Sequence, residues 1–240
     1  NNNVAVGMRS MFVNTTGADN IGVGFFTLNQ NTTGSNNVAI GNQALDANTT
    51  ASNNTAVGAV ALGANTTGAN NVAVGAQALD ASTTGNKNTA IGRMALSANT
   101  TAHDNTALGG DALLLNTTGT QNVAVGSNAL DANTTASNNT AVGYGSLGAN
   151  TTGGFNTAVG YNCLDSNTTG SSNVAMGTSA LQANTTADEN TAIGASCMAY
   201  NTTGTANTAL GRNALRENTT ANDNTSVGFN SLDANTTGAS

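Results

Sequence analysis

Two cysteines, one histidine, twelve carboxylates and thirteen Asn-Thr-Thr triplets are the groups in this 240-residue chain that could carry chemistry. Cys163 and Cys197 occupy the same position of a repeated unit, two units apart. Stacked units would separate them by about 9.6 Å at strand spacing, beyond the reach of a disulfide, so both read as buried small residues standing in for Ala. His103 lies beside Asp104 in a variable stretch. A catalytic triad or a zinc centre needs partners at fixed places, and no repeated position supplies them; His103 reads as a solvated loop residue. Asp46, Asp80, Asp131, Asp165 and Asp233 recur at one position, in five of the fourteen units. Calcium-binding β-rolls carry Gly-Gly-x-Gly-x-Asp instead, a pattern the chain lacks. Gly22-Val23-Gly24 is a lone G-x-G without the long strand before it or the helix after it that a dinucleotide site needs. With no repeated nucleophile, acid pair or metal cluster, neither an enzyme nor a bound cofactor is expected.

The Asn-Thr-Thr triplets allow two readings. Each is formally an N-glycosylation acceptor, sugar-bearing if it sits on a protruding turn. Turned inward, Asn14, Asn31, Asn48, Asn65 and their equivalents would form a ladder of amides, each bonding to the next. Ranks of Thr also suggest an ice-binding face, although adjacent Thr residues in a strand point to opposite sides, leaving at most one outward rank. Tyr144 and Tyr161 share a position in neighbouring units, with Phe155 nearby in sequence. Their rings are the candidates for stacking against cell-surface glycans.

All of these groups hang on one scaffold. Starting at Asn3, fourteen units of 17 residues follow one another to Ser240 with no insertion or deletion. The consensus is N-[VT]-A-[VIL]-G-x-x-A-L-x-x-N-T-T-[GA]-x-x, and its positions are called columns one to seventeen. Column five is Gly in every unit (Gly7, Gly24, Gly41, Gly58 and onward), which points to a positive φ or a close backbone approach. Column four is aliphatic apart from Met176, and column nine is Leu apart from Met11 and Met198. Columns three and eight are small. Columns six, seven, ten, sixteen and seventeen vary and are expected outside.

A 17-residue period is too short for a helix pair and fits an all-β solenoid, a parallel β-roll of fourteen coils. Columns two to four predict one strand and columns seven to nine a second, with Asn-Thr-Thr-Gly turning the chain through the left-handed region. At one strand spacing per coil the array would be on the order of 65 Å long. Two large aliphatics per unit, at columns four and nine, make a lean core. A second face lined by small residues would let copies pack closely, most simply as a parallel homotrimer. The period reads as a single array over residues 1–240, a section of a longer fibre or a subunit that stacks end to end. Residues 37–68 closely match 122–153, an offset of five units that reads as duplication.

Composition narrows the partners. Charged residues are 7%, the formal net charge is −7, and only five Lys and Arg are present. No basic stripe exists for a phosphate backbone, so nucleic acid is not expected. No apolar run approaches the length that spans a bilayer. Leu, Ile, Val and Phe make up only 40 of 240 residues, a thin core that a repeat protein can spread along its axis.

The N-[VT]-A-[VIL]-G element followed by Ala and Leu resembles the head repeats of trimeric autotransporter adhesins. The longer form ending Asn-Thr-Thr-Gly is similar to arrays in phage tail-fibre-like proteins. The resemblance spans all fourteen units. It implies a left-handed parallel β-roll, three chains side by side, and a place outside the cell, on the cell surface or on a virion, as a fibre shaft or adhesin.

Overall fold

The computed structural model describes residues 2–238. The chain divides into two compact units, Asn1–Gln121 and Asn122–Ser240. Each is a parallel β-solenoid of seven coils, one 17-residue repeat per coil, and no helix occurs among the described residues. The first unit holds strands β1 (Val4–Val6) to β7 (Thr106–Leu108), and the second β8 (Val123–Val125) to β14 (Thr225–Val227). Within each unit a strand pairs with the next in sequence, every residue opposite the one 17 places on, as in Val38↔Thr55, Ala39↔Ala56 and Ile40↔Val57. The Val, Ile and Thr of columns two and four suit a pleated surface.

Alternation along each strand decides what lies inside. Column three points inward, and Ala39, Ala56, Ala73 and their equivalents are fully buried. Columns two and four share the opposite face. The expectation that column four belongs to the core therefore fails: Ile40, Ile91, Leu108 and Leu210 remain 37–47% exposed. The small residues line the lumen, because so short a coil leaves no room for a large side chain at column three opposite the Leu of column nine. The small-residue face is thus internal, and the outward face of the sheet is an aliphatic stripe.

The second predicted strand is also absent. Columns six to eleven form turns, and columns seven and nine lie at positive φ, for example Gln43 at 56° and Leu45 at 52°, which an extended strand excludes. The turn residues still ladder from coil to coil: Gln43 donates its N–H to the Phe25 carbonyl at 2.8 Å, and Leu45 to Ala61 at 3.1 Å. In each unit column nine fills the lumen with fully buried side chains, Leu28 to Leu113 in the first and Leu130 to Leu215, with Met198 among them, in the second.

Column five meets both halves of its expectation. Gly58 has φ of 139°, and a Cβ there would lie 2.6 Å from the Gly75 carbonyl carbon of the next coil. The Asn-Thr-Thr-Gly turn is different. Neither its Asn nor its Gly adopts positive φ; the left-handed residues are those of columns five, seven, nine and seventeen. Gly at column fifteen answers instead to crowding, since a Cβ on Gly34 would run into the carbonyl of Ala51.

Candidate functional site

Inside each unit the buried asparagines form two ladders. At column twelve, Asn31 donates to the Oδ1 of Asn14 at 2.8 Å, Asn48 to Asn31 at 2.8 Å, and Asn65 to Asn48 at 3.0 Å. At column one the backbone N–H of each Asn donates to the Oδ1 of the Asn before it, as Asn54 does to Asn37 at 3.0 Å and Asn71 to Asn54 at 2.9 Å. Both side chains of one coil then converge on one acceptor. The Gly68 carbonyl receives Nδ2 of Asn54 and Nδ2 of Asn65, each at 2.9 Å, and Gly170 receives Asn156 and Asn167 in the same way. Asn31, Asn48 and Asn65 are fully buried with Nδ2 engaged twice, so the ladder reading holds and these amides have no free nitrogen for a sugar. The column-one ladder escaped sequence reasoning, although an Asn in all fourteen units was its signal.

A change of residue interrupts the column-twelve ladder within the first unit. Column twelve is Ser82 in the fifth coil, and both Asn65 Oδ1 and Ser82 Oγ are buried without a hydrogen-bond partner. Serine is too short to bridge to either neighbour.

The threonines divide by direction. The first Thr of each triplet donates its hydroxyl to the backbone of the next coil, as Thr32 does to Thr49 at 3.0 Å, while the second, such as Thr33 or Thr50, is exposed. A single outward rank remains, as alternation requires.

Cys163 and Cys197 are free and buried. Each thiol donates to the carbonyl of a column-three Ala in the next coil, Ala175 at 3.2 Å and Ala209 at 3.3 Å. Burial pushes the Cys163 thiol up to about 12 and the Cys197 thiol up to about 11, so both are protonated and unreactive at neutral pH. His103 lies on the surface with Nδ1 2.7 Å from Asp104 Oδ2. Among the described residues no three His, Cys, Asp or Glu side chains gather into a group that could hold a metal.

Column ten was expected outside, yet Asp46, Asp80, Asp131 and Asp165 are only partly exposed. Desolvation holds the carboxyls of Asp46 and Asp165 above the usual carboxylate range, offset at Asp46 by a hydrogen bond from Asn29.

Of the three aromatic candidates the fold unites two. The rings of Tyr144 and Tyr161 stack with centroids 5.7 Å apart and planes 14° from parallel. Phe155 sits at column seventeen, in the turn that precedes β10 (Thr157–Val159), whereas Tyr161 follows that strand; Phe155 is exposed and makes no ring contact with the pair. Beside Tyr144 lies a groove of about 460 Å³, open to solvent. Its floor is Gly145 and Gly148, and its two banks are Asn128 with Asp131 and Asn162 with Asp165; among the repeats only this one has Gly at column seven. The paired glycines at columns seven and ten of one repeat were the sequence signal for it. Comparison with known proteins finds no matching family model, no matching curated protein and no matching solved structure.

Proposed function

We propose that the chain is a section of the structural shaft of an extracellular fibre, in which copies of the chain pack side by side through the outward faces of their sheets. The observation that supports this reading most is the apolar stripe at column four, aliphatic except for Met176, from Val6 to Leu108 in one unit and from Val125 to Val227 in the other. Each unit leaves on the order of a few hundred Å² of apolar surface in one strip, near the upper end for an isolated protein. A second copy fits that strip best, because only it repeats the same side chains at the same strand spacing of about 4.8 Å. Closed symmetry and the resemblance of the N-[VT]-A-[VIL]-G element to trimeric adhesin heads and phage tail-fibre arrays favour three copies.

The mechanical role follows from where the bonding lies. Strand pairing, the turn ladder and both asparagine ladders all link successive coils, so a pull along the stack is shared among many parallel hydrogen bonds. A phage tail fibre, an adhesin stalk and a polymeric filament each need that property. Ice binding draws less support, since one outward Thr rank cannot present a two-dimensional lattice.

Sedimentation velocity tests the association. The wild-type protein should run as a trimer, and the Ile40→Lys/Ile91→Lys variant, which places charge on the stripe, should run as a monomer with an unchanged circular dichroism spectrum. A monomeric wild type at the highest soluble concentration would refute side-by-side packing. Immunogold labelling of the native source should decorate a surface appendage, and label confined to the cell interior would remove the fibre role.

A further inference from the structure

We infer that the groove over Gly145 and Gly148 is a binding site for a neutral pyranose sugar. Three features of the second unit meet there. First, two missing side chains open the wall of a single coil. A Cβ on Gly148 would lie 3.0 Å from Asp165 Oδ1 and 3.6 Å from Asp131 Oδ1, and one on Gly145 would lie 2.7 Å from Asn162 Oδ1. Carboxylate and amide oxygens from the coils on either side therefore close upon the space that the glycines leave empty. Second, the groove of about 460 Å³ falls within the range of small-ligand sites. Third, Tyr144 forms one wall, 53% exposed, with its ring held in place by the stacked ring of Tyr161.

The chemistry of that lining selects the ligand. Carboxylates only accept hydrogen bonds, whereas Asn amides both accept and donate, a combination that suits the hydroxyls of a sugar, each a donor and an acceptor. The braced tyrosine offers an aromatic face to the C–H face of a pyranose ring, as its negative quadrupole favours. Two facing carboxylates repel an anion, so sialic and uronic acids are excluded. A bare cation would need only the carboxylates and would leave the tyrosine and most of the groove unused.

The first unit contains an internal control. Five repeats earlier the same column-ten pattern occurs as Asp46, Gly63 and Asp80, with Gln43 and Gln77 in place of Asn128 and Asn162. Ala59 and Val60 stand where the second unit has Tyr144 and Gly145. There a Cβ on Gly63 would meet Val60 Cγ1 at 2.9 Å rather than a carboxylate. Val60 fills the space, and the aromatic wall is missing. The equivalent coil of the first unit thus supplies the closed form.

Saturation-transfer NMR with methyl α-D-glucopyranoside, methyl α-D-mannopyranoside and methyl β-D-galactopyranoside at millimolar concentration tests the site. At least one should receive saturation from the protein, and its addition should shift the backbone amides of Asp131, Gly145 and Asp165. The Tyr144→Ala/Gly145→Val variant copies the Ala59-Val60 pattern and should weaken binding at least ~tenfold, equivalent to about 1.4 kcal/mol. Gly148→Ala, which places at column ten the residue that Ala199 already provides there, puts a methyl group between the carboxylates and should weaken it as well, should the double variant fold poorly. The proposal is overturned if none of the three sugars binds, if both variants bind as the wild type does, or if the same amides respond to calcium chloride but not to sugar.

Discussion

At the scale of single residues, the two asparagine columns explain how so lean a chain holds together. A buried amide is costly unless its groups are paired, and here each coil pairs them with its own column-fifteen carbonyl and with the neighbouring coil. Ser82 shows what one missing rung leaves behind, two buried polar atoms with no partner. An unsatisfied buried group costs about 1–3 kcal/mol. Ser82→Asn should therefore raise the free energy of unfolding by about 1–3 kcal/mol, read by denaturant titration, with no change in secondary structure; an unchanged or lower midpoint would contradict the ladder as a source of stability. The column-twelve ladder was legible in the sequence because Asn recurs there beside Thr-Thr. The column-one ladder was equally regular but was hidden by its use as the start of the repeat. What no spacing reveals is that the two columns share one acceptor, since that depends on the coil folding back on itself.

At the scale of the element, the strand was legible and the turn was not. Columns two to four carry β-branched residues in alternation, and strands appear there in every repeat. Columns seven to nine look similar in composition but fold as a turn with Leu in the left-handed region. The magnitudes explain why Leu accepts it. A left-handed residue costs roughly 1–2 kcal/mol, while full burial of a Leu side chain returns about 1.5–3 kcal/mol. A reader who associates positive φ with Gly alone finds column five and overlooks column nine. Large aliphatics at column four suggest a place in the core, yet the alternation of the strand fixes their face regardless. Columns seven and five together give a test with opposite signs. Val60 is β-branched yet has φ of 59°, and Val60→Asn, the residue at the equivalent Asn128 and Asn162, should stabilise by about 0.5–1 kcal/mol because Asn tolerates that conformation. Gly75→Val combines a φ of 135° with a collision against the Gly92 carbonyl carbon, 2.6 Å from the added Cβ, and should cost about 3 kcal/mol or more. Thermal unfolding of the two variants measured together decides the matter: equal melting temperatures would mean that backbone conformation does not limit these coils.

At the scale of the whole molecule, charge opposes what the apolar stripe promotes. A formal charge of −7 at neutral pH keeps copies apart, and the balance turns over near the isoelectric point of about 4.1. The repulsion is long-ranged and screened by salt, whereas contact between aliphatic stripes is short-ranged and insensitive to it. Approaching pH 4 should therefore do to wild-type protein at low ionic strength what added salt does at pH 7, driving association upward as the net charge is neutralised. Light scattering across pH 3 to 8, at low and at physiological ionic strength, should show a maximum near the isoelectric point in the first case and a flatter profile in the second. The Ile40→Lys/Ile91→Lys variant separates the two forces, because it lowers the net negative charge and yet interrupts the stripe. If charge alone governed association, this variant would associate more readily than the wild type at pH 7; if the stripe governs it, the variant stays dispersed at pH 7 despite its weaker repulsion.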